Sequence, residues 1–268
     1  MNTVLKWVGG KQGVMAQLKL ALPKGTRLIE PFCGSGAVMM NTAYSSYVLA
    51  DINTYDTIRN AAENVIAALT ELYETCRTRE HYDAIRKEFN ARTADSVRMA
   101  AMFIYMNRHG YRGLCRYNKR KGEFNVPWGD YRKPYLPEKE IRYMADRLVH
   151  ADLLCAGFEE TLKLAGEGDV VYCDPPYVNP GKFTGYHASG FTEAQQRALV
   201  DILNTLPEKG VHVVASSHDA ENIRQMYTGF TVKGFSAPRS VYNGTGEGKQ
   251  AKEIIAIRQA VSSGKTSA

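Results

Sequence analysis

Hydrophobic positions recur along the chain with two different periods, and the change of period divides it. Short continuous apolar runs come first. Residues 26–30 (TRLIE) and 46–51 (SYVLAD) read as buried strands, joined by PFCGSGAV and a short helical stretch ending near Ala43. The spacing then turns helical: Ile58, Ala61, Ala62, Val65, Ile66, Leu69, Leu72 and Tyr73 recur across 56–76. Residues 79–90 and 96–107 predict two more helices, and Pro137 with Glu138 opens a fourth that runs to about His150. Strands return at 169–173 (DVVYC), 211–216 (VHVVAS), 230–235 (FTVKGF) and 253–258 (EIIAIR). Between them lie predicted helices at 192–206, capped by Thr192, and at 219–228. The last two strands suggest a hairpin across the loop 236–252. Residues 108–137 carry neither period and read as a loop with a hairpin at GEFNVPWG (122–129).

An α/β rhythm on both sides of a helical stretch predicts one doubly wound, Rossmann-like α/β domain made of residues 1–53 and 151–268. A mostly helical insertion, 54–150, interrupts it. With 268 residues, 44% of them hydrophobic, a sizeable core can be buried. No apolar run approaches the roughly 20 residues that span a bilayer, and MNTVLKWVGGK has no signal-peptide core. A soluble cytoplasmic protein is expected. The five cysteines are scattered without a C-x-x-C pair, which argues against a disulfide framework or a zinc site and suggests that most are small buried residues.

Charge changes this picture in one place. The net charge is +6. Between residues 108 and 133 stand Arg108, Arg112, Arg116, Lys119, Arg120, Lys121, Arg132 and Lys133 against only Glu123 and Asp130, so this segment holds the whole excess. Tyr111, Tyr117, Phe124, Trp128 and Tyr131 are interleaved. Such a segment is either a solvated basic loop or a surface for phosphates and stacked bases.

Two short motifs carry candidate chemistry. In FCGSGAV, Gly34 and Gly36 lie between a strand and a helix, where glycine permits positive φ and close approach of backbone to a ligand. Asp51 closes the next strand and can accept hydrogen bonds from both ribose hydroxyls. Position 39 is Met, so the dinucleotide fingerprint is incomplete; a nucleoside without a pyrophosphate, such as S-adenosylmethionine, fits better. The second motif is Asp174-Pro175-Pro176-Tyr177. A residue before proline is held extended, so the oxygens of Asp174 and Pro175 can converge on an amine attached to an aromatic ring. Two acceptors there would concentrate the amine's lone pair on nitrogen, and Tyr177 could stack on the ring. A tight turn is the plainer alternative. No Pro-Cys dipeptide occurs, which disfavours a covalent cysteine route, and the scheme requires no metal.

LKWVGGK (5–11), EPFCGSGAV (30–38), VLADIN (48–53), GYRGLCRYN (110–118), GEFNVPWG (122–129), VVYCDPPY (170–177) and SSHD (216–219) stand in this order. As a set they resemble the DNA adenine methyltransferases of the Dam family over nearly the whole chain. The resemblance implies methylation of the exocyclic amine of a flipped adenine in duplex DNA, within GATC, with S-adenosylmethionine as donor and S-adenosylhomocysteine as product. It implies that Trp7, Lys11, Phe32, Gly34, Gly36, Asp51 and Asp174 bind the cofactor, and that Asp174, Pro175, Pro176 and Tyr177 form the catalytic pocket. It further implies that Lys6 touches the first base pair, that Tyr111 inserts near the flipped base, and that Leu114 and Arg116 read base edges. Arg112, Asn118, Lys119, Arg120, Lys121 and Pro127 would be further DNA contacts. Two positions depart from the family pattern: Asp130 stands where Arg or Lys is usual, and Arg112 replaces Asn, so specificity could be relaxed or altered. A monomer without an obligate protein partner, bacterial or phage-encoded, is expected. The rivals are methylation of an RNA or protein amine, and a catalytically inactive DNA-binding regulator.

Overall fold

The computed structural model describes residues 1–50, 54–118, 120–177, 191–238 and 250–261. Among the described residues seven strands form one sheet: β1 (Arg27–Glu30), β2 (Ser46–Ala50), β3 (Ala151–Leu154), β4 (Val170–Cys173), β5 (His212–His218), β6 (Thr231–Pro238) and β7 (Gln250–Arg258). Their order is β3-β2-β1-β4-β5-β7-β6. The first five run parallel; β7 lies antiparallel between β5 and β6. The chain direction through the sheet reverses between β1 and β4, and the carboxyl ends of strands at such a point form a ligand crevice. The architecture is Rossmann-like α/β, as expected.

Continuous apolar strands are what a sheet covered on both faces requires. Successive residues alternate between faces. Leu28, Tyr47, Leu49, Val170, Tyr172 and Val214 therefore enter one core with Met39, Tyr55 and Ile58. Their neighbours Ile29, Val48, Val171, Cys173, Val213 and Ala215 enter another with Leu199 and Leu203.

Between β2 and β3 the described residues build four α-helices: α2 (Thr54–Thr75), α3 (Arg79–Ala91), α4 (Ser96–His109) and α5 (Glu138–Leu148). The Thr78 and Asp95 side chains cap α3 and α4, accepting from the His81 and Arg98 amides. Helix α4 is buried continuously from Ala100 to His109, which makes it the centre of this region. The first core runs unbroken from the sheet into these helices through Met144, Ile58, Met102 and Phe124.

The structure also departs from the sequence expectations. A strand at 151–154 and helices at Met15–Ala21 (α1) and Phe158–Leu162 (α6) were not predicted. The strand is short and pairs only with β2, so pairing rather than propensity defines it. The stretch before Ala43 is only a 3₁₀ turn, Met39–Asn41. The hairpin sits earlier than GEFNVPWG: the antiparallel bridges are Tyr117 with Phe124 and Gly110 with Trp128. Only Cys33 and Cys173 are buried, whereas Cys155 is exposed, because the other cysteines fall at loop and helix ends. Among the described residues no helix is long and apolar enough to cross a membrane.

Candidate active site

A cavity of about 970 Å³ opens at the carboxyl ends of β1 and β4. Trp7, Lys11, Phe32, Gly34 and the whole run Asp174–Tyr177 line it. Most residues that two distant motifs nominated thus share one wall. Gly34 has φ 55°, and a Cβ there would lie 3.0 Å from the Trp7 indole nitrogen, so glycine lets Trp7 close over the loop. The Tyr55 hydroxyl donates to the Gly34 carbonyl. Phe32 stacks on Phe158 and meets Phe191 edge-on, both at 5.8 Å, giving an aromatic floor beside the glycines. Gly36, with φ 68°, lies between two lining residues, Ser35 and Ala37, and a Cβ there would lie 3.2 Å from the Met144 methyl. Asp51 lies outside the described residues.

The charged groups of the cavity interlock. The Lys11 ammonium, only 5% exposed, sits 2.8 Å from Asp174 Oδ1. It also donates to the Gly9 carbonyl and to the Tyr177 hydroxyl, each at 3.0 Å. Ser216 donates to the same Asp174 Oδ1 at 2.9 Å, and the Tyr172 hydroxyl is 2.9 Å from Ser216. Among the described residues both contacts use Oδ1, which leaves the second carboxylate oxygen of Asp174 to accept from a ligand amine. Glu253 on β7 reaches the cluster from the far side, with Oε2 3.6 Å from the Lys11 ammonium. Burial raises the Glu253 carboxyl above its usual range, against the pull of Lys11. Burial, then Asp174 and Glu253, push the Tyr177 phenol well up, so it stays neutral. Burial pushes the Cys173 thiol up as well, so it is no nucleophile.

Ser216 belongs to SSHD, but nothing local in that motif tied it to Asp174. Glu253 was read only as the first residue of a strand.

The segment 110–131 is attached to this cavity through the N-terminal stretch. The Asn107 side chain accepts from the Lys6 amide at 2.8 Å and donates to the carbonyls of Lys6 and Gly113. Gly113 has φ 64°, and a Cβ there would lie 2.4 Å from Lys6 Cβ. The Lys6 ammonium lies over the Tyr131 ring at 4.3 Å. Burial and then Arg108 lower its pKa. Tyr131 accepts from the Arg112 amide, and the Arg112 guanidinium lies 5.1 Å over the exposed Tyr111 ring. Arg116 is folded onto Asn125, donating to its side-chain oxygen at 2.8 Å and its carbonyl at 3.1 Å. Leu114 packs half-buried against the core, and the Pro127 carbonyl accepts from the Tyr111 amide. The Asn118 side chain closes the turn by accepting from the Arg120 and Lys121 amides, so it has a structural role as well. Lys119 lies outside the described residues. Cys115 and Tyr117 reach the cavity wall, so the two regions meet.

Two charges differ from the sequence picture. Arg108 is buried and donates to the Val4 and Thr3 carbonyls, so it ties α4 to the N-terminus and leaves the basic surface. Asp130, in the left-handed region at φ 52°, borders a concave surface with Arg77, Arg79 and Arg86, cations that the local count had not included. Behind the segment His109 is sandwiched between Tyr105 and Trp128, at 3.9 and 5.7 Å, with its Nδ1 3.0 Å from the Tyr105 carbonyl. Burial lowers its pKa to about 4.

Residues 7–241 match the family model described as D12 class N6 adenine-specific DNA methyltransferase. The chain is 48% identical over 263 residues to the Retron Ec67 DNA adenine methylase of Escherichia coli, covering 96% of this chain and 91% of that protein. It is 40% identical over 263 residues to the DNA adenine methylase of Escherichia coli strain K12, covering 94% of each. A DNA adenine methylase of Vibrio cholerae is 39% identical over 264 residues, again with 94% of each covered.

Proposed function

The chain belongs to the D12 class of N6 adenine-specific DNA methyltransferases, and from that premise we propose that it methylates the exocyclic amine of an adenine flipped out of duplex DNA, within GATC, using S-adenosylmethionine. The observation that carries the catalytic half is Asp174: it opens on the same cavity as Trp7, Phe32 and Gly34, and its internal contacts fall on one oxygen.

The cavity has the features such a cosubstrate needs: aromatic walls for an adenine, glycine backbone at a strand end, and room for an amino-acid tail. When bound, S-adenosylmethionine supplies a methyl group on a sulfonium. Trp7 and Phe32 exclude water from one side. Lys11 and Ser216 hold Asp174 so that its second oxygen and the Pro175 carbonyl accept the two amine hydrogens of the target base. That draws the lone pair onto nitrogen and aims it. Pro176 keeps the turn rigid, and Tyr177 stacks on the base. An adenine inside the helix cannot reach these groups, so it leaves the stack.

Residues 1–53 and 151–268 form the catalytic portion in this scheme, and 54–150 the target-recognition portion. Lys6 and Arg116 read base edges, Arg116 by exchanging Asn125 for guanine; Leu114 packs on a thymine methyl. Tyr111, with Arg112 beside it, fills the gap left by the flipped base. Asn118, Lys119, Arg120, Lys121 and Pro127 follow the backbone. The arginines beside Asp130 offset its charge toward phosphate. Expression in a host without adenine methylation, followed by mapping of every modified adenine with its flanking bases, tests this. Modification at GATC is expected. A different motif would overturn the specificity, and unmodified DNA the activity.

A further inference from the structure

Strand β7 runs against its neighbour β5, so its first residues emerge at the edge of the sheet where the parallel strands end. Glu253 sits there, paired in register with His218 on one side and Phe235 on the other. Its side chain is 9% exposed. A carboxylate is rarely buried to that degree without partners. Here the partners are the working groups of the cavity. The Lys11 ammonium is 3.6 Å away, and the same ammonium donates to the Tyr177 hydroxyl at 3.0 Å. Lys11 thus pairs with Asp174 at 2.8 Å and Glu253 at 3.6 Å while it holds the Tyr177 hydroxyl.

We propose that Glu253 is a positioning residue for methyl transfer: through Lys11 and the Tyr177 hydroxyl it fixes the acceptor Asp174 and the stacking ring, so that it sets turnover rather than affinity. The proposal rests on the assignment of Asp174 and Tyr177 to the target-base pocket. Chemically, a single carboxylate facing Lys11 would let the ammonium and the phenol rotate together. A second one within ion-pair distance restrains the cation, and through it the phenol that the cation holds. Burial raises the Glu253 carboxyl, so its charge is lost at a higher pH than that of an exposed glutamate. The charged and titratable groups facing it are Lys11, Asp174, Tyr177 and His218, whose ring lies 5.6 Å from that of Tyr177.

Glu253→Gln keeps the size but removes the charge; Glu253→Ala removes both. Expected are losses in single-turnover rate of roughly tenfold for the first and roughly a hundredfold for the second, with KM for cofactor and DNA within about threefold of the parent. The parent rate should fall in mild acid, and that limb should be absent in Glu253→Gln. In a background of Tyr177→Phe, which keeps the ring, the cost of Glu253→Ala should shrink because Lys11 no longer has a phenol to hold. Rates within twofold of the parent, an unchanged acid limb, or losses confined to KM would overturn the proposal. A second readout needs no turnover: tyrosine-ring carbon resonances of the free enzyme, with Tyr177 assigned through Tyr177→Phe, should show the Tyr177 signal displaced in Glu253→Gln. An unmoved signal contradicts the restraint. A parent enzyme without activity on duplex DNA would refute the pocket assignment while leaving this spectrum to decide on Glu253.

Discussion

Lys11 and Arg116 are both cations with internal partners, yet the partners differ in kind. Lys11 is buried between carboxylates, a carbonyl and a phenol, all fixed by the sheet edge. Arg116 is exposed and clasped by one asparagine of its own loop. Charges removed from water are held by several partners because an uncompensated one is costly. A cation that must change partners has to be held weakly, by bonds that a guanine edge or a phosphate can replace. The crevice is therefore preorganised, as acceleration of a single displacement step requires. Gly110–Gly113 is braced at its backbone by Asn107 and the stacked His109, whereas the Arg116 side chain is exposed and held within its own loop.

The sharpest way to break this contrast is Asp174→Ala. Transfer should fall by about a thousandfold or more, roughly 4 kcal/mol of barrier, with DNA affinity within a few-fold in gel shifts. Full single-turnover activity would remove Asp174 from the chemistry.

His109 probes the rigid backbone side of the comparison. Its folded pKa, about 4, lies below the ordinary 6.5, so the unfolded chain binds the proton more readily. Its contribution to stability is present above pH 6.5 and is lost as pH falls toward 4, by roughly 2–3 kcal/mol. Urea melts of the parent and of His109→Gln across that window should converge on acidification. Parallel curves would show that His109 is not the proton-sensitive support.

Arg116→Ala addresses the adaptable side. Discrimination at one base pair should weaken by ~1–3 kcal/mol with the turnover rate on the best site little changed. An unchanged sequence preference would mean that Arg116 does not read a base. The smallest effect belongs to Lys121→Ala, which should weaken binding uniformly over sequences and reduce the salt slope by about 1. A sequence-dependent loss would move Lys121 from the backbone to a base edge.

What the sequence revealed depended on how local each feature is. DPPY and FCGSG act through their own backbone, so their share of the cavity could be read before folding. The helices of 54–109 followed from periodicity. Glu253 could not be read in this way: a carboxylate opening an apolar strand looks like a polar entry. Its meeting with Lys11 depends on β7 inserting antiparallel between β5 and β6. Arg108 was miscounted as surface charge because its partners, the Thr3 and Val4 carbonyls, lie a hundred positions away. Asp130 looked like an isolated repulsive charge because the arginines beside it belong to α3 and the turn before it.

The central claim, that the Asp174 pocket methylates an adenine amine in duplex DNA, is tested most directly by labelled methyl transfer. Purified enzyme is offered S-adenosylmethionine carrying a labelled methyl group together with duplex DNA, RNA and protein, and the products are digested to nucleosides and amino acids. The account expects label in N6-methyladenine from duplex DNA, and none with Asp174→Ala. Label confined to RNA or protein, or found on cytosine, would contradict it.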